Sequence, residues 1–200
     1  MDTQTSSPNS YDRVMRTIHW MTLVLVAAAF AAIWIADPDL VGPYVRPIIQ
    51  VHRSLGLTVA ALTIFRLAWR WQARIPPLPG DLPILQRVAA RAAEGLLYAL
   101  LLVQPVIGLL YTNAYGLRVN LFFLGELPVL IGRDRALAMQ LGGVHTFLGY
   151  SLLILIGLHS AAALFHHFVR RDDVLNAMLP ASLRQMRRRT FALTPPTGQS

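Results

Sequence analysis

Four stretches of mostly apolar residues, at 17–36 and about 52–71, 92–112 and 143–169, constrain this chain more than any other feature. Each reaches the roughly 20 residues with which an α-helix crosses the hydrocarbon of a bilayer. Backbone N–H and C=O groups find no water there, so a segment that crosses must satisfy them internally, as a helix does. The chain of 200 residues is 54% hydrophobic with a mean hydropathy of +0.47, well above an ordinary soluble domain. The reading is an all-α, integral membrane four-helix bundle. The AAAFAA of the first stretch imitates a signal-peptidase site, but the run exceeds the roughly 7–15 residues of a signal core and is read as a retained span.

Between the spans lie DPDLVGPYVRP, the proline-rich RIPPLPGDLP and a long connection from Asn113 to Gln140. Within the last, LFFLGELPVLI is too short to span and is broken by Gly125 and Pro128, which predicts an interfacial segment. The third span starts amphipathically (QRVAARAAEG) and contains Pro105, a candidate kink. The organisation expected is an N-terminal cytoplasmic segment (1–15), a four-helix transmembrane domain (16–180) and a basic, turn-rich flexible tail (181–200).

All 18 basic residues are arginine, and net charge is +8. They sit in the gaps between apolar runs, a pattern of membrane flanks rather than of a nucleic-acid surface. The N-terminal flank (Arg13, Arg16), the second connection (Arg66, Arg70, Arg74, Arg87, Arg91) and the C-terminal end (Arg170, Arg171, Arg184, Arg187, Arg188, Arg189) hold thirteen. The remaining five are Arg46, Arg53, Arg118, Arg133 and Arg135. Positive-inside asymmetry therefore places both termini in the cytoplasm. The absence of cysteine excludes disulfides, cysteine-ligated iron–sulfur clusters and thioether-bound haem.

Ionisable residues inside spans are functional candidates. His19 lies just inside the first span, His52 opens the second and His145 opens the fourth. His159 follows His145 by fourteen residues, about 21 Å along a helix and only about 40° off the same face. Because alternate spans run in opposite directions, His52 shares a level with His145, and His19 shares one with His159. Two stacked bis-histidine sites in a four-helix bundle can hold two haems. A hydrogen bond across helices is the bland role for a single histidine, worth about 0.6–2 kcal/mol, and it does not account for four at paired heights. Zinc or copper wants three or four clustered ligands, and the only carboxylate in the spans is Glu94. Gly56 and Gly149, four residues after His52 and His145, leave room for a porphyrin or simply pack helices. His166, seven residues beyond His159 and nearly on its face, competes as the inner ligand, but its place at the membrane edge better suits a proton carrier or quinone partner, while His167 reads as a solvated interfacial imidazole.

The segments TIHW, VHRSLG, VHTFLGY, GLHSAAALFHHF and RDDVLNAMLP together resemble the bacterial di-haem cytochrome b561 family over residues 11–180. The resemblance implies that His19, His52, His145 and His159 are axial ligands of two haem b groups in a multi-pass protein of the bacterial inner membrane. Arg53 and Tyr150 also look family-like, without an assigned role. Short members of about this length include an enzyme that passes electrons from superoxide to ubiquinone, which makes that reaction the leading expectation. Others serve as cytochrome b subunits that link a partner dehydrogenase or hydrogenase to quinone. Arg46, Arg53 and Arg118 are candidates for steering an anion to the outer mouth or for pairing with haem propionates or lipid phosphates. A histidine-lined metal transporter is a third, more distant reading.

Overall fold

The computed structural model describes residues 10–122 and 124–179. Among them the regular elements are all helical. They are α1 (Arg13–Ile35), α2 (Pro38–Val41) with a 3-10 turn at Gly42–Tyr44, α3 (Val45–Arg70), α4 (Ile84–Ala114), α5 (Arg135–Phe165) prolonged by a π turn at His166–Arg170, and α6 (Val174–Met178). Four segments are long and apolar enough to cross a membrane: Arg13–Ile35, Pro38–Arg70, Ile84–Ala114 and Arg135–Arg170. The expected all-α bundle of four spans is therefore the fold. Large apolar side chains such as Trp34, Phe147, Ile154 and Leu158 are exposed on its outside, where acyl chains meet them.

The helices start earlier than the apolar runs do. α3 begins at Val45, with Pro47 in its first turn, where a missing N–H leaves no intrahelical bond unmade. α4 takes in the amphipathic QRVAARAAEG directly after Pro83 and runs through Pro105 to Ala114. α5 begins at Arg135 because Asp134 caps it, its carboxylate accepting the Leu137 amide at 3.0 Å. His52 and His145 thus lie about two and about three turns inside their helices rather than opening them. Arg66 and Arg70, counted above with a connecting segment, lie within α3.

α1 packs along α3, α4 along α5, and α3 along α4. The bundle is therefore two antiparallel hairpins joined along one seam. α5 makes no comparable backbone contact with α1 or α3, and an interior gap separates them. At the end holding both described termini, Asp12 caps α1 through the Met15 amide (2.8 Å) and accepts from the Trp69 indole (3.1 Å). Arg16 and Trp20 donate to the Leu179 and Met178 carbonyls, each at 3.0 Å, which ties the segment around α6 to α1.

At the opposite end, the described residues between α4 and α5 are not helical. They make one isolated antiparallel bridge, Asn120 with Glu126, and have positive φ at Phe122 and Gly125. Ser54 of α3 is fully buried; its hydroxyl donates to the Asn120 carbonyl and accepts from the Phe122 amide, both at 2.9 Å. Gln50 also donates to the Asn120 carbonyl, and the buried Asn113 side chain accepts the Leu130 amide at 2.9 Å. Polar side chains at the helix ends thus hold the predicted interfacial stretch as a pinned loop. The N-terminal residues before Ser10 and the tail expected at 181–200 lie outside the described residues.

Replacing Ser54 with alanine removes the acceptor of the part-buried Phe122 amide and one donor to the Asn120 carbonyl, where a typical hydrogen bond contributes about 0.5–1.5 kcal/mol. Hydrogen–deuterium exchange should rise across residues 115–134 in Ser54→Ala and stay unchanged in the spans. Unaltered exchange in that loop would show that Ser54 does not pin it.

Candidate haem sites

His52 projects from α3 and His145 from α5, and their ring centroids lie 6.2 Å apart with planes at 85°. His19 of α1 and His159 of α5 lie 6.3 Å apart at 64°. The structure thus brings the four sequence-selected histidines together as two pairs. Both pairs reach across the gap that separates α5 from α1 and α3.

Local chemistry presents each ring. His52 Nδ1 lies 2.8 Å from the Ala29 carbonyl of α1. A carbonyl only accepts, so Nδ1 carries the proton and Nε2 keeps a free lone pair. That is the arrangement by which an outer hydrogen bond orients a metal-binding imidazole. The backbone carbonyl of His145 accepts from Gln104 of α4 at 2.7 Å, while its Nδ1 is buried without a partner. Gly108 of α4 makes room for that ring: a Cβ there would stand 2.9 Å from His145 Cε1. Gly56 and Gly149 also approach α4, where added Cβ atoms would meet Pro105 at 3.9 Å and Gln104 Nε2 at 3.0 Å. Both glycines line the cavity as well, so close helix packing and room beside the histidines coincide there.

The His52–His145 pair opens on a cavity of about 860 Å³ that Trp34, Arg53, Tyr111 and Tyr150 also line. The His19–His159 pair is more open, with His159 exposed on the bundle surface. Arg66 Nη1 stands 3.2 Å from His19 Nδ1, and its guanidinium lies 5.5 Å from the centre of the Tyr98 ring.

The residues fit a haem. Two metal–nitrogen bonds of about 2 Å each, with roughly 1 Å from each nitrogen to its ring centre, span about 6 Å, the separation of both pairs. The orphaned His145 nitrogen, the fixed His52 tautomer and the gap between helices agree with that occupant. No cluster of three or more histidine, acidic or cysteine side chains suited to a metal ion occurs among the described residues.

The remaining candidates are spread out. Arg53 borders the cavity, and Arg46 is exposed near the start of α3. Arg118 pairs with Glu126 at 2.8 Å; that hydrogen bond raises its pKa and offsets its charge as a steering group. His166 sits in the π turn, and the left-handed Arg171 (φ 57°) folds Asp172 back until its carboxylate lies 2.5 Å from His166 Nδ1. His167, expected to be solvated, has a buried Nδ1 without a partner. Sequence reasoning missed Gln104, Gly108, Tyr98 and Arg66. Three of them lie on α4, which carries no histidine to draw attention to it.

A model of the family described as prokaryotic cytochrome b561 matches residues 10–181. Cytochrome b561 homolog 2 of Escherichia coli is 30% identical over 182 residues, covering 89% of this chain and 95% of the relative. The probable superoxide oxidase CybB of Yersinia pestis is 29% identical over 166 residues, covering 82% and 92%. Cytochrome b562 of Cereibacter sphaeroides is 29% identical over 177 residues, covering 84% and 94%. The chain therefore belongs to the prokaryotic cytochrome b561 family, haem-b-binding electron-transfer proteins of the bacterial inner membrane.

Proposed function

We propose that this chain is a di-haem b oxidoreductase that takes electrons from superoxide at the periplasmic side and delivers them to ubiquinone. The observation that carries the reading is the pair of imidazole couples, His52 with His145 and His19 with His159, each at the spacing of two axial ligands on one metal. In the net reaction two superoxide anions each give up one electron and become dioxygen, and one ubiquinone takes both electrons with two protons. Haem b supplies reversible one-electron chemistry at its iron.

The arginine distribution puts the termini in the cytoplasm, so the His52–His145 pair lies toward the periplasm. An anion crosses hydrocarbon poorly and must arrive from one aqueous side. Arg53, beside that cavity, and the exposed Arg46 supply positive potential there, and Arg118 contributes less because Glu126 is bonded to it. At the cytoplasmic end, His166 Nδ1 donates to Asp172, and when the ring is doubly protonated its Nε2–H points a second proton at a quinone oxygen. The relative named as a probable superoxide oxidase supports the choice of donor.

A second reading is an electron-transfer subunit that links a partner dehydrogenase or hydrogenase to the quinone pool. The exposed Leu117, Leu124 and Leu130 in the pinned loop favour it, because they offer an apolar surface on which a partner could dock. Activity of the isolated protein separates the two.

Acidified organic solvent should extract two haems per purified chain. Replacing His52 or His145 with alanine should remove one haem and replacing His19 or His159 the other, while His166→Ala keeps both. A wild-type content near one, or haem loss in His166→Ala with none in His159→Ala, would overturn the ligand assignment.

Gly108→Ala should disturb only the His52–His145 site. The added methyl must displace the His145 ring, an overpacking that costs about 1–3 kcal/mol. Haem content should fall toward one, or the low-spin electron paramagnetic resonance signal of that site should shift. Two unaltered signals would mean that the helices yield instead.

Stopped-flow mixing with a superoxide source should reduce the haems rapidly, superoxide dismutase should abolish the reduction, and added ubiquinone should reoxidise the protein. Slow reduction that ignores the dismutase leaves the partner-linked relay as the account.

A further inference from the structure

Around the second histidine pair lies a set of polar groups that the histidines leave unexplained. Arg66 follows His52 on α3 by fourteen residues, as His159 follows His145 on α5, so a strong cation sits at the depth of the His19–His159 pair. Its Nε is buried without a hydrogen-bond partner, and so is the hydroxyl of Tyr98, the ring over which the guanidinium lies. The carboxylate at hand is already engaged: Glu94 holds Arg70 at 2.8 Å and Arg91 at 3.7 Å.

Two orphaned donors inside a membrane span require an acceptor. The contact between Arg66 and His19 does not supply one that lasts. A guanidinium has five donors and no acceptor. An imidazole that binds metal through Nε2 carries its proton on Nδ1 and donates from it. Once His19 is a ligand, donor would face donor, and Arg66 must turn to an anion. A planar guanidinium with a free Nε–H is a recognition group for a carboxylate, and the hydroxyl of the Tyr98 ring beneath it is a second donor without a partner.

We propose that Arg66 and the Tyr98 hydroxyl bind a propionate carboxylate of the haem held by His19 and His159, and that the Arg66 charge raises the reduction potential of that site. The proposal rests on the di-haem reading above. It assigns propionate binding at this end to α3 and α4, and makes the two sites electrically unequal. An ionised propionate favours the oxidised iron, which carries one positive charge more, and the guanidinium bound to it offsets that negative charge and so raises the potential.

The test is spectroelectrochemical titration of the purified holoprotein, with the site identified as the haem missing from His159→Ala. Arg66→Gln should make reduction at that site about tenfold less favourable, a fall of 59 mV for a one-electron couple, and leave the other midpoint in place. Arg66→Lys should recover part of the shift, and Tyr98→Phe should lower the same midpoint by less. Protein reconstituted with haem dimethyl ester, whose propionates cannot ionise, should show little effect of Arg66→Gln. An unchanged midpoint in Arg66→Gln or an equal shift at both sites overturns the proposal. So does a full shift that persists with the ester, which would place the charge on the iron or on another anion. If Arg66→Gln does not assemble, unchanged midpoints in Arg66→Lys and Tyr98→Phe overturn it equally. A wild-type protein with one haem would instead fail the di-haem reading, before the Arg66 question arises.

Discussion

An imidazole surrounded by hydrocarbon has to be given a partner, and in this bundle that requirement falls where the helices do not touch. α1 packs on α3, α4 on α5 and α3 on α4, yet α5 stands apart from α1 and α3. Across that gap reach the four histidines. Helices in a membrane gain little from burying apolar side chains against one another, because lipid is as apolar as leucine. A gap lined with polar nitrogens would collapse or fill with lipid unless something suited to both occupied it. A flat apolar macrocycle with a metal at its centre meets both demands, and in the proposed reading it is the missing layer of the core.

α4 contributes to this arrangement without supplying a ligand. It packs on both α3 and α5 and so fixes how far apart the hairpins stand. Its Gly108 lets the His145 ring lie against the backbone, and its Gln104 holds the His145 carbonyl. On the other side of the gap, the Ala29 carbonyl sets the proton of His52. The pinned loop closes the same end through Ser54 and Asn113, two of the few fully buried polar residues among those described. The His52–His145 site is thus held from α1, α3, α4 and α5 at once.

Much of this was legible in the sequence, for a reason that depends on spacing alone. Fourteen residues are close to four helical turns, so His145 and His159 keep nearly one face wherever the helix starts. For that reason the pairing survived the wrong helix ends: α5 begins at Arg135, well before the apolar run, and the two levels are unchanged. The single charges fared worse. Arg66 counts toward positive-inside asymmetry when read as a flank, but α3 continues past it and places it against His19. Arg118 reads as a free cation at the mouth until the loop brings Glu126 to it. Composition cannot distinguish a flanking arginine from a buried one; only the partner can, and partners come from tertiary contacts. The contributions of α4 were invisible for the same reason, since a glycine or glutamine in an apolar run carries no period.

The two ends of the molecule are built for different tasks. The His52–His145 end offers a large, partly open cavity with Arg53 at its border and the paired Arg118 beyond, and no proton-carrying group bonded to a carboxylate among the described residues. The His19–His159 end is open on one face. It carries Arg66 and Tyr98 with unmet donors, and the π turn bends His166 onto Asp172. An oxidation that releases only electrons needs a positively charged approach and nothing to manage protons. A quinone reduction needs an apolar entry from the membrane, a proton donor and a redox site poised to be filled first. In the proposed function the donor end matches the first description and the acceptor end the second. The fixed Arg66 charge would then bias the chain in the direction that the proton chemistry already requires.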